Sequence, residues 1–347
     1  MASDTRLYIG TTNGLFVTQS TNGGWKEPTL TLPNAFCRCF SSSSGRESVY
    51  LALGKDGLVR SDNGGQHWTK IREEHVRAVM VDPTDDNVIY AGSEPVALWR
   101  SEDRGATWEE LSALQDLPQE KKDNWWFPTP PHQGHVLQIF VHPDDPRIIY
   151  MSIEHGGIVR SLDRGATWED VTDGIDYLDI HQVSSQPHSF DRYYASTAKG
   201  FFTSSDPSAG WTRAEQGMTR DYFHDFIFFP PKREGGAPSI LISSADGTPG
   251  DWDRPGVARG AVFRTDDGAA SWQRVIGEGL PDEMEENPWA ISGHPEERDT
   301  AYVGLGGFRR PGSTIPGTIL RTQDRGDTWQ RVDVQVPLVL LLLAAPI

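Results

Sequence analysis

Cysteine is nearly absent from this 347-residue chain, which carries only Cys37 and Cys39. Two positions apart on a strand, they point the same way and are poorly placed to bridge each other. No disulfide framework exists, so nothing demands an oxidising compartment. Long hydrophobic runs are also missing. The stretch from Leu338 to Ala345 is apolar but far too short to span a bilayer. The opening Met-Ala-Ser-Asp-Thr-Arg runs straight into Leu7-Tyr8-Ile9 without an apolar signal core. The expectation is a cytoplasmic protein without membrane attachment. Basic charge is scarce, since 32 Lys and Arg face 49 Asp and Glu for a net charge of −17. That balance argues against a nucleic-acid partner, whose phosphates call for cations. It suits a neutral or cationic ligand or a bound cation, and it also serves plain solubility.

Turn formers are plentiful, with 35 Gly and 24 Pro, and so are the 12 Trp. Seven of these Trp end copies of one motif. Ser161 to Trp168 reads S-L-D-R-G-A-T-W, Ser101 to Trp108 reads S-E-D-R-G-A-T-W, and Thr322 to Trp329 reads T-Q-D-R-G-D-T-W. The copies ending at Trp68 and Trp272 are looser, with Asn63 replacing the Asp and Ala269 the Gly. Those ending at Trp211 and Trp25 keep less. A period of about 40 residues signals a repeat architecture. Each motif lies between an apolar, β-rich run and a polar-aromatic one, so it belongs in the turn of an antiparallel hairpin. Its Asp can accept hydrogen bonds from the turn's own backbone, and its Gly supplies a geometry other residues resist.

The pattern S-x-D-x-G-x-T-W resembles the Asp box of the bacterial neuraminidase repeat. That repeat marks β-propellers such as sialidases, xyloglucanases, sortilin-type receptors and a photosystem II assembly factor. The resemblance covers nearly the whole chain and implies an all-β fold, with the Asp boxes themselves structural and peripheral. The expected architecture is a single seven-bladed β-propeller of four-stranded blades, one domain over residues 1–347. The blades fall at about 5–33, 34–72, 73–115, 133–175, 176–217, 221–277 and 286–333. Every blade after the first has strands a to d, and in four of them a Pro turn follows strand a with a Tyr in strand b seven residues after that Pro, at Tyr90, Tyr150, Tyr194 and Tyr302. The first blade lacks its own strand a. Val336 to Ala345 is surplus at the other end and is expected to supply it, closing the ring and removing its exposed edges.

Long connections, about 113–133, 245–258 and 305–317, are expected on the face opposite the Asp boxes, where function concentrates on a rigid scaffold. The residues that begin each strand a reach the same face near the axis. They include His75 and Arg77, then His135, then Asp179 and His181, then Tyr222 and His224, then Trp289, with Asn34 and Cys37 in the second blade. Strand b adds Glu94, Glu154 and His155. Four of the ten histidines thus take equivalent places in four successive blades. His135, His181 and His224 could converge on one divalent transition metal, which would act as a Lewis acid or hydroxide source. The alternative is a metal-free polar funnel. Glu154 and Asp179, with Tyr222, are the candidate catalytic residues for acid–base work. His75, Arg77, Trp125, Trp126, His155, Trp289 and Arg309 are the candidate substrate contacts, the indoles suiting a sugar or another flat ligand.

Two functional readings stay open. One is a hydrolase or lyase acting on a small polar ligand, glycosidase-like and with or without a metal. The other is a non-catalytic propeller that binds a glycan or a protein partner. A sialidase would need an arginine triad and a tyrosine nucleophile with a glutamate, whereas here the mouth offers Arg77 and Arg309 or Arg310, and Tyr222 lacks the matching motif. Xyloglucanases of this repeat type enclose a cleft between two propellers, of which one is expected here. The photosystem II factor uses a basic patch, which this acidic chain does not offer.

Overall fold

The computed structural model describes all residues except 1–3, 22, 46, 234–235, 253–255, 282–283, 285 and 307–315. It is built almost entirely of antiparallel strands. Helix among the described residues is confined to the four-residue turn Gln119–Lys122 and three short 3-10 turns. No described helix is long and apolar enough to cross a membrane. By backbone contacts the chain falls into two compact units, Arg38–Arg213 and a second made of Met1–Cys37 with Ala214–Ile347.

The unit Arg38–Arg213 holds four sheets of four strands each, in chain order. They run from Cys39–Ser42 to Thr69–Arg72, from Val76–Asp82 to Glu109–Glu110, from Val136–Val141 to Glu169–Asp170, and from Ile180–Ser185 to Thr212–Arg213. Neighbouring sheets share cores. Ala78, Val88, Tyr90 and Leu98 pack with Val136, Ile139, Ile149 and Met151 across one such junction. Apolar side chains of both parities along the inner strand make this possible, because that strand is covered on both faces. Close approach also requires Gly92, since a Cβ there would come within 2.5 Å of the Val136 side chain.

The other unit holds the four-stranded sheet Tyr222–Phe229 to Gln273–Arg274 and a larger sheet containing both ends of the chain. In that sheet Val339–Pro346 pairs antiparallel with Thr5–Thr11, from Thr5 opposite Pro346 to Thr11 opposite Val339. The C-terminal strand therefore does serve as the missing inner strand of the first sheet, beginning three residues later than the sequence suggested. A single parallel bridge from Gly306 to Val339 joins it to the strand Ala301–Gly306, which is why nine strands count as one sheet. The strand b tyrosines Tyr8, Tyr50, Tyr90, Tyr150, Tyr194 and Tyr302 are all fully buried, each filling the same place in its sheet.

The Asp boxes have the expected turn chemistry. Asp163 Oδ1 accepts from the Thr167 N–H at 2.8 Å, Oδ2 from the Thr167 hydroxyl at 2.7 Å, and the Gly165 N–H donates to Ser161 Oγ at 2.8 Å. The Trp168 indole N–H then returns to the Gly165 carbonyl at 3.1 Å. The box at Asp103 repeats these bonds, and hydrogen bonds from Thr107 hold its carboxyl down to about 2. One detail goes beyond the sequence reading. Two successive residues are left-handed, Arg164 at φ 61° and Gly165 at 88°, with the same pair at Arg104–Gly105 and Arg325–Gly326. The looser copy moves the glycine one place, so Ala269 is held at φ 69°, a conformation that costs a non-glycine residue about 1–2 kcal/mol. The arginine of the box reaches the preceding sheet, as when Arg325 Nη1 donates to the Pro230 carbonyl at 2.7 Å.

Candidate functional site

Most of the inner strands share an irregularity that positions the site. In five of them the register shifts near the start, leaving Arg77, Leu137, His181, His224 with Asp225, and Trp289 out of the regular pairing, whereas Cys39–Ser42 pairs without a shift. Such β-bulges turn side chains out of the regular alternation and are common beside active sites. Directly before these strands come His75, His135 and Asp179. Sequence alignment of the blades found most of these positions but not the bulges that aim them.

In the unit Arg38–Arg213 these side chains form one polar cluster. Arg77 lies 3.4 Å from Glu94 and 3.4 Å from Glu154. His135, only 1 % exposed, brings Nε2 against both Arg77 Nη2 and Glu154 Oε2, with Nδ1 3.6 Å from Glu94. His75 Nε2 is 3.6 Å from Glu94. Asp179 lies between two imidazoles, 3.8 Å from His155 and 3.6 Å from His181. Glu154, His155 and Asp179 each offer one ligand atom within 4.8 Å of the other two. Phe127, from the 113–133 insertion, covers the group with its ring centroid 5.1 Å from that of His135 and 5.7 Å from that of His155.

The charges are tuned by burial and by each other. Burial would raise the Glu154 carboxyl, but the hydrogen bond with His135 and the nearby His135, Arg77 and His181 charges outweigh it and hold it at about 2. Glu154 is thus ionised at any ordinary pH and cannot be the proton donor. Burial lowers His75, and the Arg77 and Arg38 charges add to this against the opposing pull of Glu94. Arg38 is brought down to about 9, by burial first and then by Arg77.

The other candidates lie elsewhere. Tyr222, His224 and Trp289 belong to the second unit, where His224 packs on Trp289 at 4.3 Å and Tyr222 meets Trp252 edge-on at 5.1 Å. Tyr222 and Trp289 are buried, so this is a packed aromatic group. Of the three histidines proposed for a metal, His135 and His181 share the polar cluster and His224 sits in the aromatic group. His135 Nε2 is already occupied by Arg77 and Glu154. Trp125 packs half-buried on the apolar core, whereas Trp126 is 51 % exposed and stacks on His132 at 5.3 Å. Arg309 and Arg310 fall outside the described residues.

Arg38 was missed by the sequence reading. It immediately precedes the strand Cys39–Ser42, as His75 and His135 precede theirs, but the second blade lacks the Pro turn that set the alignment. Cys37, chosen instead, is buried, and burial pushes its thiol up to about 12.

Residues 98–111 match the family model described as the BNR-Asp box repeat. A xyloglucanase from a Paenibacillus species is 24 % identical over 348 residues, which cover 84 % of this chain and 30 % of that protein. An oligoxyloglucan-reducing end-specific xyloglucanase of Emericella nidulans is 25 % identical over 212 residues, 58 % of this chain and 24 % of the other. The chain therefore spans about a quarter to a third of these curated relatives' length. Among solved structures, the Niastella koreensis GH74 enzyme superposes with a TM-score of 0.63 at 16 % identity, over 86 % of this chain and 45 % of that one. YCF48 from Cyanidioschyzon merolae gives 0.53 at 16 % identity, over 85 % and 84 %. At such identity the structural likeness concerns the fold. The chain thus carries a BNR-Asp box repeat at residues 98–111, with the same turn geometry recurring along it, and is similar over most of its length to xyloglucanases.

Proposed function

We propose that the chain is a glycoside hydrolase acting on a glycan of the xyloglucan type, with its reaction centre at the cluster of Glu154, Asp179 and their histidines. The observation that carries this reading is a pair of carboxylates on adjacent sheets, with oxygens within 4.8 Å of each other, in a chain whose relatives are xyloglucanases. In the roles this suggests, Glu154 stays ionised and serves as base or nucleophile, and Asp179 with His155 or His181 handles the proton. Arg77 and His135 orient Glu154 through their contacts with it. His75 and His155 line the approach, Trp126 offers an exposed face for a sugar, and Arg309 remains a candidate contact. The same reading takes residues 1–347 as one seven-bladed ring. Support for this reading comes from the pairing of Thr5–Thr11 with Val339–Pro346, which gives the first sheet its inner strand.

The test is release of reducing ends from xyloglucan and a panel of β-glucans. Activity should fall by about 10²–10⁴-fold in Glu154→Gln and Asp179→Asn, with both variants still folded. Full activity in either variant would remove the assignment. A glycan-binding role without catalysis is favoured by the exposed Trp126. It would show as retention on xyloglucan in affinity electrophoresis without any hydrolysis.

A further inference from the structure

The charges in the polar cluster do not balance evenly. Glu94 and Glu154 share the guanidinium of Arg77. Asp179, by contrast, has as its ion-pair partners among the described residues only the imidazoles of His155 and His181. It is 9 % exposed, and its buried Oδ1 makes no hydrogen bond. A buried carboxylate oxygen that accepts no hydrogen bond is costly, and a further carboxylate, that of Glu154, stands close by. A positive charge belongs between them.

We infer that Glu154, His155 and Asp179 bind one divalent transition-metal ion of the zinc or manganese kind. One imidazole nitrogen with two carboxylate oxygens suits these ions, while a site for magnesium or calcium would be expected to use oxygen alone. Their ligand atoms already lie within 4.8 Å of one another, so small rotamer adjustments bring them to a common ion. His135 against Glu154 and His181 beside Asp179 act as positioning residues, the outer contacts that fix a ligand's orientation. The ligand set differs from the three histidines first suggested by the sequence, because His135 Nε2 is engaged by Arg77 and Glu154. Three protein ligands leave room for water or a substrate oxygen, which the ion would polarise. The site is the one assigned above to hydrolysis, but its occupation by metal does not require that activity.

The experiment is calorimetric titration of EDTA-stripped protein with ZnCl2, MnCl2, MgCl2 and CaCl2 at pH 7.5, without glycan. One equivalent of zinc or manganese should bind saturably, with the melting temperature raised to match. Asp179→Asn and His155→Ala should lose this binding, and His181→Ala should weaken it about 10–100-fold. Cooperative melting of each metal-free variant shows that it is folded, and the partly exposed His155 makes its variant the safer of the two. Absence of saturable binding, or binding unchanged in His155→Ala and Asp179→Asn, overturns the site and leaves the imidazoles carrying the positive charge as protons. Reducing-end release by the stripped protein, measured separately, shows whether hydrolysis stands or falls independently.

Discussion

Acid should expose how Glu154 is held. Its carboxyl sits at about 2 rather than the ordinary 4.5, a difference worth roughly 3 kcal/mol of folding free energy. Because the folded value lies below the unfolded one, this stabilisation is complete above about pH 5. It is lost as the pH falls toward 2, where the folded protein too must take up the proton. Glu154→Gln removes the titration while leaving an amide that can still meet His135 and Arg77, and Arg77 keeps Glu94 at 3.4 Å. Urea unfolding of both proteins in EDTA at pH 7, 5, 4 and 3 should therefore show a stability gap that is widest at neutral pH and narrows through the acid range. The narrowing should total roughly 3 kcal/mol once extrapolated to pH 2. The Asp-box carboxyls, such as Asp103, are also held low, but they titrate alike in both proteins and cancel. A gap that stays constant from pH 7 to 3 would mean that His135 and Arg77 do not hold the ionised carboxylate, and the roles given to all three residues would fail with it.

Other substitutions test other levels of the structure. Ala269→Gly relieves the left-handed backbone at φ 69° and should raise unfolding free energy by about 1 kcal/mol in urea. Gly105→Ala should do the reverse and more, since a Cβ there meets Ile71 Cδ1 at 2.5 Å. Its loss should reach about 1–3 kcal/mol, read by the same denaturation. Trp126→Ala should leave the melting temperature unchanged because the side chain is 51 % exposed. If that ring stacks on sugar, the substitution should raise KM by up to about tenfold, as expected for one aromatic contact of 0.5–1.5 kcal/mol. Truncation before Val339 uncovers Leu7 and Ile9, which pack with Val339, Leu342 and Ala344, and should give aggregates on gel filtration in place of a monodisperse peak.

The parts of the fold that were legible in the sequence are those that repeat. Trp, Asp and Gly of the box recur because each hairpin turn solves the same hydrogen-bonding problem, and the strand b tyrosines recur because each fills the same place between sheets. His75, Arg77, His135, Glu154, Asp179 and His181 were found through that same register. Arg38 escaped because its sheet turns without proline, and the bulges escaped because one unpaired residue leaves no mark in composition. The division of roles within the cluster was not legible either. Whether an imidazole binds an ion or braces a carboxylate depends on which nitrogen faces what, as at His135, and spacing along the chain carries no record of it. Trp125 and Trp126 are adjacent and alike in sequence, yet one packs on the core and the other meets solvent. An insertion without a counterpart in other repeats offers no pattern from which to tell them apart.

The pairing of Thr5–Thr11 with Val339–Pro346 has a consequence for biosynthesis. The strand Thr5–Thr11 must wait for one made more than three hundred residues later. Until that strand is made Leu7 and Ile9 lack its apolar cover, and a hydrogen-bonding edge stays open to any neighbouring nascent chain. The middle sheets can mature while synthesis continues, but the first cannot, so chaperone dependence and sensitivity to premature termination should concentrate at that one seam.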